Sequence, residues 1–279
     1  MKTRNIEENL SLVNNGTLSF FFIGTGSAFS KSYFQTNLLI IKGNDHILID
    51  CGTLCPYVID TKYNLKIKNI ENLLVTHPHA DHIGGLEEMA FLSYYTKNSR
   101  VNIVITDEFK KKLWNESLRG GMQFSENGKM SFDDYFNQMK PVKIRNKPFP
   151  MHEINIGSIN LKLFRTHHVT TKKDSFRNSQ YSVGLIVDDR ILFTADTQFR
   201  PEQINWITQN FNIEYIFHDC DVSGFSAGVH ATYQELKTLP VELKSKMYLC
   251  HYSSKVTGLD VIKDGFAGLA KAGLYYDFD

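Results

Sequence analysis

The stretch Thr76-His77-Pro78-His79-Ala80-Asp81-His82-Ile83-Gly84-Gly85 holds four potential metal ligands within six residues. It follows the apolar run 72–76, which predicts a buried strand. Side chains alternate along an extended segment, so His77 and His79 can point the same way, and Asp81 and His82 fall on the following turn. Zn²⁺, Mn²⁺ and iron accept imidazole and carboxylate ligands. A polar loop with clustered histidines is the alternative. The buried strand before the cluster favours a metal site.

Short apolar strands alternate with helices on both sides of this stretch, which predicts one α/β domain with sheets inside and helices outside. Strands are predicted at 17–23, 37–41, 46–49, 72–76, 101–105, 154–166, 182–187, 191–194, 215–218 and 247–250. Helices are predicted at 86–95, 107–118 with Asp107 as N-cap, 201–210, 232–238 and around 260–272. Residues 1–16 are interpreted as a polar extension before a domain at 17–279, and 119–150 as a loop-like insertion.

The composition excludes several classes of protein. With 279 residues, 42% of them hydrophobic, the chain has ample material for a core and is not globally disordered. A net charge of +1 gives no general electrostatic reason to bind nucleic acid or an anionic membrane. Four cysteines without a CxxC pair, and no apparent signal peptide or membrane span, predict a cytoplasmic protein.

The histidine-rich stretch resembles the HxHxDH motif of the metallo-β-lactamase superfamily, and further motifs of that family follow in order. Residues 47–52 (ILIDCG) resemble the first motif, 165–169 (RTHHV) the third, 193–197 (FTADT) the motif with the bridging aspartate, and 249–253 (LCHYS) the last. The resemblance covers about residues 18–255. It implies a four-layer αββα metallo-β-lactamase-like sandwich in a single domain.

The resemblance also implies a ligand set for two metal ions. His77, His79 and His168 would hold one ion, Asp81, His82 and His251 the other, and Asp196 would bridge them. Asp81 is therefore also a candidate catalytic residue. Asp50 would support the metal-binding loop without binding metal. Either His167 or His168 could be the ligand, and the apolar residues upstream favour His168.

Two segments resemble the ribonuclease Z-like branch of this superfamily. Residues 22–28 (FIGTGSA) resemble its GTGS opening, which makes Ser27 a candidate substrate contact, although a tight turn explains the segment as well. Residues 228–232 (GVHAT) resemble its HxT segment, which assigns His230 as a phosphate contact and proton donor. His218 and Asp219 are candidates for orienting His230, and a simple turn at a strand end explains them equally well.

The exosite arm with which ribonuclease Z grips transfer RNA has no room here. Only 28 residues separate His168 from Asp196, enough for two short strands. The nearby run 170–174 (TTKKD) is basic but short. Small-molecule phosphodiesterases of the branch, such as the phage anti-Pycsar enzymes, also lack the arm. Transfer RNA is therefore not expected as a substrate.

The sequence thus predicts a di-metal phosphodiesterase that acts on a small phosphodiester, first of all a 3′,5′-cyclic nucleotide, through a metal-bridging hydroxide. Two divalent ions are expected, Zn²⁺ first, with Mn²⁺ or iron fitting the same donors. The resemblance implies a homodimer. The alternatives are a ribonuclease Z-type RNA 3′-processing endonuclease and a non-hydrolytic nucleotide-binding protein on the same fold. Base preference and biological setting stay open.

Overall fold

The structure, a computed structural model, describes residues 1–170, 176, 179–224 and 228–279. The basic run 170–174 therefore lies outside the described residues, except for Thr170. The described chain forms two compact units, each built around one eight-stranded sheet. Unit 1 comprises Met1–Ile23, Asn37–Pro141 and Gly273–Asp279, and unit 2 comprises Gly24–Thr36 and Val142–Ala272.

Unit 1 has a mixed sheet with the order β1-β18-β2-β3-β4-β5-β6-β9 and a separate two-stranded sheet, β7-β8. Its strands are β1 (Lys2–Asn5), β2 (Leu18–Gly24), β3 (Asn37–Lys42), β4 (Asp45–Ile49), β5 (Asn72–Leu74), β6 (Val101–Val104), β7 (Phe124–Ser125), β8 (Gly128–Lys129), β9 (Phe136–Met139) and β18 (Leu274–Phe278). Its α-helices are α1 (Cys55–Tyr63), α2 (Ala80–Ile83), α3 (Leu86–Lys97), α4 (Asp107–Leu113), α5 (Arg119–Met122) and α6 (Phe132–Tyr135), with a 3₁₀ turn at Ile67–Asn69 and a π-helix at Trp114–Leu118.

Unit 2 has a mixed sheet in sequential strand order, from β10 to β17. Its strands are β10 (Val142–Arg145), β11 (Met151–Ile156), β12 (Ile159–Arg165), β13 (Val183–Val187), β14 (Ile191–Phe193), β15 (Tyr215–Asp219), β16 (Met247–Cys250) and β17 (Gly268–Leu269). Its α-helices are α7 (Pro201–Asn210), α8 (Tyr233–Lys237) and α9 (Val241–Lys244), with a 3₁₀ turn at Ser254–Val256. Ile204 and Ile207 of α7 pack with Leu236 of α8 in one core cluster, together with Ile186 and Leu192 from the sheet.

Both sheets change from antiparallel to parallel pairing partway across. In unit 1, β3 and β4 are antiparallel, whereas β4, β5, β6 and β9 run parallel. In unit 2, β10 to β14 are antiparallel, whereas β14 to β17 run parallel. The carboxyl ends of parallel strands share one sheet edge, where ligand sites of open α/β sheets form. This edge carries the candidate ligands in each unit.

Three non-glycine residues at these strand ends have positive φ angles. They are Asp50 (66°), Ala195 (48°) and His251 (60°). The left-handed region is unfavourable for residues with a Cβ, and such strain concentrates at functional sites. The backbone is therefore strained where β4, β14 and β16 end.

Several predicted elements are confirmed, and others need correction. The helix Pro201–Asn210, the strand Met247–Cys250 and the strands predicted at 37–41 and 46–49, which are β3 and β4, are confirmed. The predicted single strand 154–166 is instead a hairpin of β11 and β12, because Gly157 takes a positive φ of 54° between them. The N-cap of α4 is Thr106, whose side chain accepts from the Phe109 N–H, so the prediction of Asp107 is wrong by one residue.

Both chain ends and the polar middle segment also differ from expectation. The predicted C-terminal helix around 260–272 is wrong: turns and β17 occupy this region, and Gly265 and Gly268 have positive φ angles incompatible with a helix. Residues 1–16 are not merely an extension, since β1 pairs with β18. The stretch 119–150 holds short helices and strands and is not a loop; β10 has all four residues exposed, so it lacks the alternation that reveals a strand.

Candidate metal centre

Unit 1 places its four candidate ligands on the turn between β5 and α3. Asp50, at the end of neighbouring β4, organises this turn by accepting three hydrogen bonds. The N–H and hydroxyl of Thr76 each donate to the Asp50 carboxylate at 2.7 Å, and Nδ1 of His82 donates at the same distance. Since a carboxylate accepts, the proton of His82 sits on Nδ1 and leaves a lone pair on Nε2. Burial raises the pKa of Asp50, and His82 and Thr76 oppose this rise.

The imidazoles of this set lie against one another. Nε2 of His77 is 3.0 Å from Nδ1 of His79, and the rings of His77 and His82 are 3.9 Å apart. Nε2 of His82 is 3.2 Å from the Asp81 carboxylate. His77, Asp81 and His82 are buried. Three imidazoles and a carboxylate packed together, with only His79 half-buried, form a donor set that suits a borderline divalent cation.

Gly84 allows the chain to fold tightly behind these ligands. A Cβ at this position would lie 2.6 Å from the carbonyl oxygen of Ala80 and would also overlap the Thr53 side chain. The motif therefore requires glycine here for steric reasons.

Unit 2 gathers its candidate ligands from several strand ends. Asp196 follows β14, and its Oδ2 is 3.3 Å from Nε2 of His251, directly after β16, and 3.8 Å from Nε2 of His168, after β12. Asp219 ends β15, with Oδ1 3.4 Å from Nδ1 of His251 and Oδ2 2.8 Å from Nδ1 of His230. Donor atoms of Asp196, Asp219, His230 and His251 all lie within 4.8 Å of one another.

The two adjacent histidines of the third motif have different surroundings. Nδ1 of His168 donates to the Val229 carbonyl at 2.8 Å, so its Nε2 carries the lone pair on the side of Asp196. Burial lowers the pKa of His168 to about 4, which keeps it neutral, as a metal ligand must be. His167 instead stacks on Phe176 with ring centroids 4.2 Å apart. The geometry therefore favours His168 as the ligand.

His230 and Asp219 form a charge-coupled pair. Burial lowers the pKa of His230, but the carboxylates of Asp219 and Asp196 outweigh this effect, so the net pKa is raised. Asp219 is completely buried and is held by the Thr197 N–H at 2.9 Å. His218 donates from Nδ1 to the backbone carbonyl of Asp219 at 2.7 Å. Of these two candidates, the one whose side chain contacts His230 is Asp219.

Ser27 lies beside the end of β16. Its N–H donates to the Tyr252 carbonyl at 3.1 Å, and Gly26 forms a β-bridge with Tyr252, the residue after His251. Contacts that sequence reasoning missed include Thr76 on Asp50, Thr197 on Asp219 and the Val229 carbonyl on His168. Thr76 and Thr197 are each next to a predicted ligand in the sequence. That adjacency could have indicated that their side chains or N–H groups contact the site.

Comparison with known proteins matches residues 18–276 to the family described as "Anti-Pycsar protein Apyc1". The chain belongs to this family. It is 33% identical over 232 residues to the Apyc1 protein of Paenibacillus sp. (strain J14), covering 83% of this chain and 87% of the relative. Apyc1 of Bacillus phage vB_BsuM-Goe3 is 31% identical over 248 residues, covering 86% and 91%. The predicted resemblance is confirmed.

Solved structures with the same fold confirm the predicted fold class. The metallo-β-lactamase fold protein YhfI from Bacillus subtilis matches with a TM-score of 0.64 at 13% identity, covering 94% of this chain and all of that protein. The short form of human tRNase Z matches with a TM-score of 0.60 at 15% identity, covering 92% and 98%. This chain has a metallo-β-lactamase fold. Among its described residues, no helix has the length and apolar character needed to cross a membrane.

Proposed function

We propose that this Apyc1 family member is a metal-dependent phosphodiesterase that hydrolyses a 3′,5′-cyclic nucleotide. The observation that carries the proposal is the His230–Asp219 pair beside Asp196 and His251, because it places an imidazole whose pKa is raised by neighbouring carboxylates next to metal-type donors. The family to which the chain belongs supports the cyclic nucleotide as substrate.

The proposal assigns the predicted ligands to two divalent cations. His77, His79 and His168 would hold one divalent cation and Asp81, His82 and His251 the other, with Asp196 shared. Nitrogen and oxygen donors suit Zn²⁺, our expected ion, and also Mn²⁺ and iron. When bound, the ions supply Lewis-acid stabilisation of the phosphoryl oxygens and a nucleophile at neutral pH.

The chain's own residues orient the ligands and move a proton. Asp50 fixes the Nδ1–H tautomer of His82, and the Val229 carbonyl fixes that of His168. The Asp219 carboxylate stabilises the protonated form of His230, which would donate a proton to the leaving ribose oxygen. Ser27, beside Tyr252, would contact the substrate.

The purified protein, loaded with Zn²⁺ or Mn²⁺, should be assayed with 3′,5′-cyclic CMP, UMP, AMP and GMP, with bis(p-nitrophenyl) phosphate, and with precursor transfer RNA. We expect turnover of at least one cyclic nucleotide and its loss in His79→Ala. Lack of turnover of every small phosphodiester by a metal-loaded protein would overturn the proposal. Cleavage of only the transfer RNA would support the processing nuclease. Tight binding of a cyclic nucleotide without product would support a sequestering protein.

The homodimer stays a prediction. Sedimentation velocity of the metal-loaded protein would test it separately from activity.

A further inference from the structure

Gln198 lies two residues after Asp196 and connects the segments that carry His168 and His230. Its backbone N–H donates to the His167 carbonyl at 2.7 Å. Its side-chain Nε2 donates to the Gly228 carbonyl at 2.6 Å and to the Thr170 hydroxyl at 3.1 Å. One half-buried side chain thus joins the segment after β14 to Thr170, two residues after His168, and to Gly228, two residues before His230.

The chemistry of its partners fixes the orientation of the Gln198 amide. Oε1 accepts from the Arg200 guanidinium at 2.8 Å, and a guanidinium can only donate. Nε2 faces the Gly228 carbonyl, which can only accept. The amide therefore cannot be flipped without losing both contacts, and its two N–H groups are committed to Gly228 and Thr170.

Gly228 begins the segment that ends at His230. The Val229 carbonyl of this segment accepts from His168, and the Ala231 N–H directly after the segment donates to the Thr197 carbonyl at 2.8 Å. The His168 attachment comes from a candidate metal ligand and the Thr197 attachment from the backbone. Gln198 supplies the attachment that can be removed without altering a ligand.

We propose that Gln198 is a positioning residue that holds residues 228–230, and through them the imidazole of His230, in place for proton donation. This inference rests on the proposed function of His230. Asp219 fixes the imidazole at its Nδ1 atom, and Gln198 restrains the backbone from which the side chain extends. Loss of the Gln198 amide then displaces the proton donor without removing any ligand side chain.

Substrates with different leaving groups can distinguish the positioning of His230 from a general contribution of Gln198 to the stability of the fold. A ribose alkoxide is a strong base and needs a proton as the phosphorus–oxygen bond breaks, so its departure depends on His230. A p-nitrophenolate is a weak base and leaves without that proton. A misplaced His230 therefore slows hydrolysis of a cyclic nucleotide and spares bis(p-nitrophenyl) phosphate.

The test compares Gln198→Met and Gln198→Glu, which both remove the two N–H donors at nearly constant size. We expect kcat on the cyclic nucleotide to fall by about 10-fold to 100-fold with KM nearly unchanged, since general acid catalysis contributes about 10²–10⁴-fold. Bis(p-nitrophenyl) phosphate should be hydrolysed at nearly the wild-type rate. His230→Gln should show the same selectivity, and the double variant Gln198→Met/His230→Gln should be no slower than His230→Gln alone.

Gln138→Glu is the matched control, because Gln138 also donates from Nε2 to a backbone carbonyl, that of Ile105 at 3.2 Å, but in unit 1. It should show no selectivity between the substrates. Equal losses on both substrates in the Gln198 variants would overturn the proposal.

A readout independent of turnover is amide hydrogen exchange at residues 229–231. Exchange should be faster in both Gln198 variants than in the wild type and in Gln138→Glu. Unchanged exchange would overturn the positioning role whatever the activity. If exchange is faster in the Gln198 variants but the wild-type protein hydrolyses neither substrate, Gln198 does position residues 228–230, and the proposed phosphodiesterase function is wrong.

Discussion

The two units present the same kinds of ligand in different ways. Unit 1 carries His77, His79, Asp81 and His82 on one turn, held by a single buried carboxylate, Asp50. Unit 2 collects its candidates from four separate strand ends, where the buried carboxylate Asp219 contacts two histidines, His230 and His251. The contiguous set therefore depends on local turn geometry, whereas the dispersed set depends on the register of a sheet and on the loops around it.

The largest expected effect is that of removing the metal, which tests whether both sets serve one centre. Dialysis against a chelator should lower phosphodiesterase activity by at least about 1,000-fold, because bound cations contribute several kcal/mol to phosphoryl transfer. Returning Zn²⁺ or Mn²⁺ should restore it. His77→Ala and His251→Ala, one from each set, should each lower the metal content measured by mass spectrometry. Full activity in a protein shown to be metal-free would contradict the shared centre.

The two buried carboxylates provide the next test. Asp50→Asn should weaken metal binding by about 10-fold to 100-fold, the usual cost of losing a partner of a ligating histidine. Excess metal should therefore restore its activity. Asp219→Asn should lower kcat/KM further, because Asp219 contacts two histidines and stabilises the protonated form of His230. Excess metal should not restore the activity of Asp219→Asn. If it did, the two carboxylates would not differ in their roles.

Glycine substitutions should show the different backbone constraints of the two sets. Gly84→Ala places a Cβ against the Ala80 carbonyl and should cost about 1–3 kcal/mol of unfolding free energy, as overpacking does. A Cβ at Gly228 would meet no atom of the described residues within 4 Å, so Gly228→Ala should cost about 1–2 kcal/mol for its positive φ of 68°. Urea denaturation of both variants measures the difference. A larger loss for Gly228→Ala would show that the dispersed set is the more tightly packed.

The smallest effect concerns His46, a unit 1 histidine outside the ligand set. Its Nε2 accepts from the Glu71 N–H at 3.3 Å, and burial lowers its pKa against the opposing effects of Glu71 and Asp45. The unfolded chain therefore binds a proton more readily, so stability should fall as pH drops below about 6.5, the ordinary histidine pKa. His46→Gln should lose less unfolding free energy than wild type between pH 7.5 and 5.5. Identical pH dependence in both proteins would contradict this.

By itself, the sequence determined the fold family and the candidate ligands, because residues 77–82 are contiguous and the other motifs each join a strand to a ligand. The α7 helix and β16 were also predictable, since their patterns are local. The N-terminal strand, β10 and β18 were not. β1 and β10 are edge strands with every residue exposed, so they show no alternation of buried and exposed positions. β18 lies between β1 and β2, so its pairing depends on partners at the other end of the chain.

Tertiary structure alone decided which neighbours these residues have. The sequence left His167 and His168 open, and the Val229 carbonyl and Asp196 favour His168. It likewise left His218 and Asp219 open as partners of His230, and only the Asp219 side chain reaches that imidazole. These pairings join residues far apart in the chain. They depend on parallel strand register and loop hydrogen bonds, and neither leaves a local pattern in the sequence.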